Sequence, residues 1–200
     1  MSSYKEVKKA AKGIYKEKGS RFISYIFPVY DEDQIKQYIN NVKNIENSAI
    51  HHCYGYVLNY NKSIYKFSDD GEPSSTAGKP ILGQIRSYDL TNTLIIVVRY
   101  FGGKKLGSSG LIRSYKMAAN DAIKNTSIIT KVIKYYYEAK FNYNDINIIM
   151  SLIKKYQLEV LNTNFNTLST IIFAVPIENN EIINHFDNIR NCNIKHLKTK

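Results

Sequence analysis

"TLIIVVRYFGGKKLGSSGLIRSYKMAAN", residues 93–120, joins three unlike segments. Leu94 to Val98 is wholly apolar, and the run from Leu94 to Phe101 predicts a strand, central in its sheet and covered on both faces. Gly102, Gly103, Gly107 and Gly110, with Lys104 and Lys105 among them, form a glycine-rich turn. From about Ser108 to Thr126 the spacing becomes helical. Leu111, Tyr115, Ala118, Ala119 and Ala122 share one face, while Arg113, Lys116, Asn120 and Lys124 form a mostly basic stripe opposite. The helix therefore packs on the sheet and turns its cations outward.

Upstream of this kernel, residues 6–19 and 20–30 read as two strands turning at Gly19. Residues 31–45 read as a helix with acidic residues in its first turn, which suits the helix dipole, and a stripe of Ile35, Tyr38, Ile39 and Val42. "IHHCYGYVLNYN" and "SIYKFSDD" read as a hairpin turning at Asn61. "GEPSSTAGKPILGQIRSY" begins as a loop and becomes a helix, with Ser or Thr as its cap.

Downstream, residues 131–142 predict a strand and residues 143–157 a helix capped by Asn144, with Ile146, Ile149, Met150 and Ile153 at helical spacing. Two strands follow over 158–165 and 167–176, then a helix carrying Ile182, Phe186 and Ile189, then a last strand over 192–198. The order β-α-β-β-α-β is that of a split, ferredoxin-like unit. The chain thus reads as α+β in two domains, residues 1–130 and 131–200.

Composition narrows the function classes. Hydrophobic residues at 44% and charged residues at 22% exclude a disordered chain. No stretch approaches the roughly 18 apolar residues a membrane span needs. The N-terminus has no apolar signal core, and Cys53 and Cys192 are far apart, so free thiols and a cytoplasmic location are expected. The net charge is +11, of which residues 1–131 carry +9: 20 Lys+Arg against 11 Asp+Glu. Arginine number five only, and Arg99 and Arg113 bracket the glycine turn.

A glycine turn feeding a helix start lets unpaired amides approach an anion, and nearby cations add full charges. This makes Arg99, Gly102, Gly103, Lys104, Lys105, Gly107, Ser108, Arg113 and Lys116 candidate anion or nucleic-acid contacts. Neither the nucleoside-triphosphatase loop nor the dinucleotide fingerprint is matched: Ser108 stands where the first needs lysine, and the glycine spacing fails the second. A tight turn whose glycines only serve φ > 0 fits the same residues. The cluster Asp69, Asp70 and Glu72 suits metal or acid–base work and equally suits a solvated turn. Its continuation through Ser74, Thr76 and Lys79 offers a second phosphate contact, joined by His51 and by Asp70 and Glu72 across a cleft. Strand alternation puts His51 and Cys53 on one face and His52 on the other; a Cys–His nucleophile and a buried structural thiol both fit. Interleaved Tyr and Lys in "YKFSDD" and "IRSYK" offer base stacking. No metal or cofactor is expected.

Together, "SRFIS", "HHCYGY", "DDGEPSSTAGKPIL" and "VVRYFGGKKLGSSGLIRSY", followed by the split β-α-β-β-α-β tail, resemble the YigZ/IMPACT family over essentially the whole chain. The signature runs from Gly78 through Ile81, Leu82, Ile85 and Leu90 to Arg99–Gly103, Leu106 and Gly107. Ser75 and Ser109 stand where the family usually has glycine. The kinase-activator-binding domain of eukaryotic members has no counterpart in these residues, so the resemblance is to the bacterial form. It implies a first domain similar to the second domain of a small-subunit ribosomal protein, and a second similar to ferredoxin-like modules of elongation factor G. It also implies an involvement in regulation of translation, and no established catalytic residue. An RNA-binding or ribosome-associated protein is the function expected. A phosphorylated-small-molecule enzyme and a protein-interaction module are the alternatives.

Overall fold

The computed structural model describes residues 2–200. They form an α+β protein of two compact units. One spans Tyr4–Lys131; the other spans Val132–Lys200 and takes in Ser2 and Ser3.

The first unit is built on a five-stranded antiparallel sheet of order β2-β3-β6-β4-β5. β1 (Ser3–Val7) stands outside it, laddered to β7 (Ile128–Val132). β2 (Ala11–Glu17) and β3 (Ser20–Pro28) form a hairpin whose two turn residues, Lys18 and Gly19, both have positive φ. That is the primed turn whose twist matches the strands it joins. β4 (His51–Leu58) and β5 (Ile64–Ser68) form the second hairpin, and β6 (Thr93–Tyr100) lies between β3 and β4.

Every residue of β6 from Thr93 to Arg99 is buried, because both faces of the sheet are covered. Ile95 and Val97 pack with Phe22, Ile26, Cys53 and Val57 beneath α2 (Gly78–Ser87) and α3 (Gly107–Lys124). Leu94, Ile96 and Val98 pack with Tyr25, Tyr56 and Leu58 against α1 (Glu32–Ile45). Asp31 caps α1 by accepting from the Gln34 amide at 2.7 Å. The sheet-facing residues of α3, Leu111, Tyr115, Ala118, Ala119 and Ala122, are all buried, while Arg113, Lys116 and Lys124 are exposed.

The second unit runs β8 (Lys134–Asn142), α4 (Ile146–Lys155), β9 (Glu159–Asn164), β10 (Leu168–Pro176), α5 (Ile183–Asp187) and β11 (Asn193–Thr199). Its sheet order β11-β8-β10-β9, antiparallel throughout, is the ferredoxin-like arrangement. Tyr137, Ala139, Phe141, Ile171, Phe173 and Val175 face Ile149, Ile153 and Phe186 of its two helices.

Three local expectations are corrected. The β-rich run through 131–142 is split at Ile133, because the chain changes ladders there: β7 pairs with β1, and β8 with β10 and β11. Asn144 does not cap α4; it sits inside a single 3₁₀ turn, Tyr143–Asp145, that leads into the helix. The last predicted helix shortens to α5, preceded by 3₁₀ turns that kink at Asn179.

Candidate functional site

At the C-terminal end of β6 the sheet opens into a cavity of about 640 Å³. The loop before β4 supplies Ser48, Ala49 and Ile50, and β4 itself His51. Glu72 and Pro73 come from the β5–α2 loop, Arg99–Phe101 from the end of β6, and Lys105–Ser108 with Leu111 from the glycine turn and the start of α3. The two loops singled out in the sequence therefore face one another across a single cleft. Arg99, Lys105, Gly107, Ser108, His51 and Glu72 all line it.

Arg99 does not stand free. Alternation along β6 puts it on the same face as Ile95 and Val97, under α3. Its side chain is 9% exposed, and Nη1 donates to Glu72 Oε1 at 2.7 Å. Tyr115 donates its hydroxyl to the same oxygen at 2.8 Å. The guanidinium carbon lies over the rings of Phe22 and Phe101, 5.7 and 5.5 Å from their centroids. Its buried Nε has no partner. Burial, with Cys53 and Glu72 alongside, pushes the Tyr115 hydroxyl far above its ordinary pKa, so it remains a donor. The Cys53 thiol, buried and raised by that burial, donates to the Asp69 carbonyl at 2.9 Å. A Cys–His nucleophile is thereby ruled out for this thiol: it is neither exposed nor prone to ionise.

The glycine turn divides by role. A Cβ on Gly102 would lie 1.9 Å from the Gly19 carbonyl carbon, and the Gly102 amide donates to Ser20 Oγ at 3.2 Å. Gly102 is therefore a packing residue, and its amide is not offered to a ligand, contrary to the sequence reading. Gly103 and Gly107 have φ of +83° and +69° with open space around them. α3 then begins at Gly107, and no side chain caps its start. Lys104 is exposed beside the cavity without lining it. Arg113 is 70% exposed on the outer face of α3, 3.6 Å from Glu17, and Lys116 is exposed on the same helix.

The second phosphate contact is not assembled. Ser74 and Lys79 are exposed away from the lining, and buried Thr76 gives its hydroxyl to the Pro73 carbonyl at 2.6 Å. Neither Ser nor Thr caps α2. Asp69, from outside the helix, accepts from the amides of Ser75, Ala77 and Gly78 at 2.8, 3.0 and 2.8 Å. Those amides are consequently unavailable to a ligand. Asp70 accepts from the His52 amide at 2.7 Å and lies outside the lining. The Asp70 carbonyl sits 2.8 Å from His51 Nδ1 and, being an acceptor only, receives a hydrogen bond from that nitrogen. Of the three carboxylates, Glu72 alone reaches the cleft. Among the described residues no cluster of three or more His, Cys, Asp or Glu is placed to hold a metal ion.

Removing the Asp69 cap tests this local account. Asp69→Ala loses an ionised acceptor for three amides and is expected to destabilise the protein by about 2 kcal/mol, the upper end for an N-cap. Urea denaturation reads the loss. A change within a few tenths of a kcal/mol would show that water replaces the carboxylate.

Sequence reading missed Phe101, which is 58% exposed and lines the cavity, as does Ile50. It offered Tyr115 of "IRSYK" for stacking instead, and that ring is fully buried. No helix among the described residues is long and apolar enough to cross a membrane.

A family model for the Impact N-terminal domain matches residues 18–123. IMPACT family member YvyE of Bacillus subtilis (strain 168) is 37% identical over 131 residues, 66% of this chain and 60% of that protein. IMPACT family member YigZ of Escherichia coli (strain K12) is 29% identical over 161 residues, 80% of this chain and 79% of that one. A crystal structure described as that of "an hypothetical protein" superposes with a TM-score of 0.74 at 26% identity, covering 99% of this chain and 98% of that one. The chain thus spans about three-fifths of the length of the first of these relatives.

Proposed function

The chain belongs to the IMPACT family, and from that premise we propose that it is a translation-associated protein that binds single-stranded RNA, without catalysis, at the cleft. The observation that carries the reading is the meeting, in one cavity, of an uncapped helix start, a lysine and an exposed aromatic ring. A phosphate of the strand takes the first-turn amides of α3 with Ser108 and Lys105, and a base stacks on Phe101. Lys104 beside the cavity and Arg113, Lys116 and Lys124 along the outer face of α3 continue a basic track. Residues 1–131 supply the field that draws RNA to it, with 20 Lys+Arg against 11 Asp+Glu. Regulation of translation is the role the family implies, and ribosomal RNA or ribosome-associated factors are the partners this surface suits.

Phosphate contacts make affinity fall with salt, each contributing about 0.7 to the slope of log affinity against log salt on a single strand. Lys104→Ala with Lys105→Ala is therefore expected to lower that slope by about 1.4, measured by fluorescence anisotropy with a labelled single-stranded RNA. Affinity indifferent to salt, or unmoved by reversing both charges to glutamate, overturns the reading. A partner recovered equally from nuclease-treated lysate would point to protein recognition instead.

A further inference from the structure

Resting on the nucleic-acid reading, we propose that the cleft is a receptor for a terminal phosphate monoester carried on a nucleoside. A free nucleoside monophosphate and the phosphorylated end of an RNA strand present that same chemistry. Internal RNA backbone, a run of diesters, does not.

Arg99 and the start of α3 are two independent observations at one place. α3 is an 18-residue helix whose first residues, Gly107 and Ser108, line the cavity with no side-chain cap. Its first-turn amides face a developed positive end of the helix dipole. Arg99 lines the same cavity, nine-tenths buried, with its Nε out of water and without a partner. A buried donor with no protein partner is rare enough to call for an explanation, and an anion drawn to this guanidinium supplies one. The guanidinium is already placed: Glu72 holds Nη1, and two aromatic rings lie within 6 Å of it. Little side-chain entropy remains to be lost on binding, which is the advantage of a preorganised fork.

The shape and the donors favour an end over a passing strand. A volume of about 640 Å³ is that of a pocket for one small ligand. Arg99, Lys105, Ser108 and the amides of α3 converge on it as donors and suit three terminal oxygens better than the two of a diester. Two cations and a helix start stand against one carboxylate, and that carboxylate, Glu72, is held by Arg99 and Tyr115. The remaining positive charge answers a monoester, which carries about −1.5 to −2 at neutral pH. Ile50, Phe101 and Leu106 make the apolar wall against which a nucleobase lies.

The test compares one short single-stranded RNA with a 5′-phosphate and with a 5′-hydroxyl, alongside adenosine 5′-monophosphate and adenosine, by isothermal titration calorimetry on the full chain. The phosphorylated RNA is expected to bind at least about tenfold tighter than its hydroxyl form, and the monophosphate but not adenosine to compete. Ser108→Asp is expected to abolish that preference. An acidic residue in the first turn stabilises a helix, so loss of fold does not confound this variant. Both RNAs binding equally, with salt dependence intact, overturns the terminal-phosphate proposal and leaves the RNA reading standing. Adenosine monophosphate binding that Ser108→Asp abolishes, with neither RNA bound, sustains the pocket and removes the RNA reading. No binding of any of the four ligands overturns both. Tighter binding of the free monophosphate than of phosphorylated RNA identifies the free nucleotide as the source.

Discussion

Glu72→Ala is expected to destabilise the protein by about 3–5 kcal/mol, the range for breaking a buried ion pair by removing one partner. The side chains of Glu72 and Arg99 are 3% and 9% exposed and meet at 2.7 Å. Deleting the carboxylate leaves a guanidinium in the interior without a counter-charge. It also leaves the Tyr115 hydroxyl, buried and strongly disposed to stay protonated, without its acceptor. Such a loss is a large share of the 5–15 kcal/mol that holds a typical domain together. Urea denaturation followed by circular dichroism measures it. The double variant Glu72→Leu with Arg99→Met separates pairing from packing, because an apolar pair of similar volume often restores what a broken ion pair loses. The double variant is expected to be more stable than Glu72→Ala alone. A single variant costing less than about 1 kcal/mol, in the range of exposed pairs, would show that water reaches Arg99 and that the network is not a structural one.

Gly102→Ala carries the second large effect, and the neighbouring glycine supplies its control. The new methyl group would run into the Gly19–Ser20 peptide: the Gly19 carbonyl carbon at 1.9 Å, its oxygen at 2.2 Å and the Ser20 nitrogen at 2.2 Å. No rotamer relieves a clash between two main chains, so the β2–β3 turn must move away from the exit of β6. A cost of about 3 kcal/mol, at the upper end for overpacking, is expected. Gly103→Ala meets no atom within 4 Å, and its cost is that of a left-handed φ alone, about 1–2 kcal/mol. Thermal denaturation of the two variants should rank them in that order. Equal losses would mean that the turn is held by conformation rather than by contact. The shift of the turn in Gly102→Ala also displaces Phe101 and the start of α3, so its ligand affinity should fall with its stability.

The fold was legible wherever periodicity alone decides. The unbroken apolar run of β6 marked a strand buried on both faces, and the i, i+3, i+4 spacing of Leu111, Tyr115 and Ala118 marked the buried stripe of α3. The chain order of the second unit also carried its topology. What the residues hid were contacts made across long separations by loops. Period-two alternation already places Arg99 beside Ile95 and Val97, which signals an inward arginine. Nothing in the spacing says that its partner is Glu72, 27 residues earlier on a loop. Asp69 reads as one of three clustered carboxylates, yet the backbone of Ser75, at φ +62°, bends the chain so that three amides converge on it. Its neighbour Asp70 was offered as a ligand contact; the structure ties it to the His52 amide instead. In each case a charged side chain that reads as available from its type is occupied by main chain or by a buried partner.

The position of β6 has a consequence for how the protein is made. β3 pairs with β2 and β6, and β4 with β5 and β6, so the two hairpins share no ladder of their own. During synthesis each hairpin closes as soon as its own residues emerge, since such local pairing takes microseconds. Their inner edges stay unsatisfied until residues 93–100 leave the ribosome. That interval is when an open strand edge invites association with another nascent chain. It ends with one strand, rich in β-branched residues, which closes both edges at once.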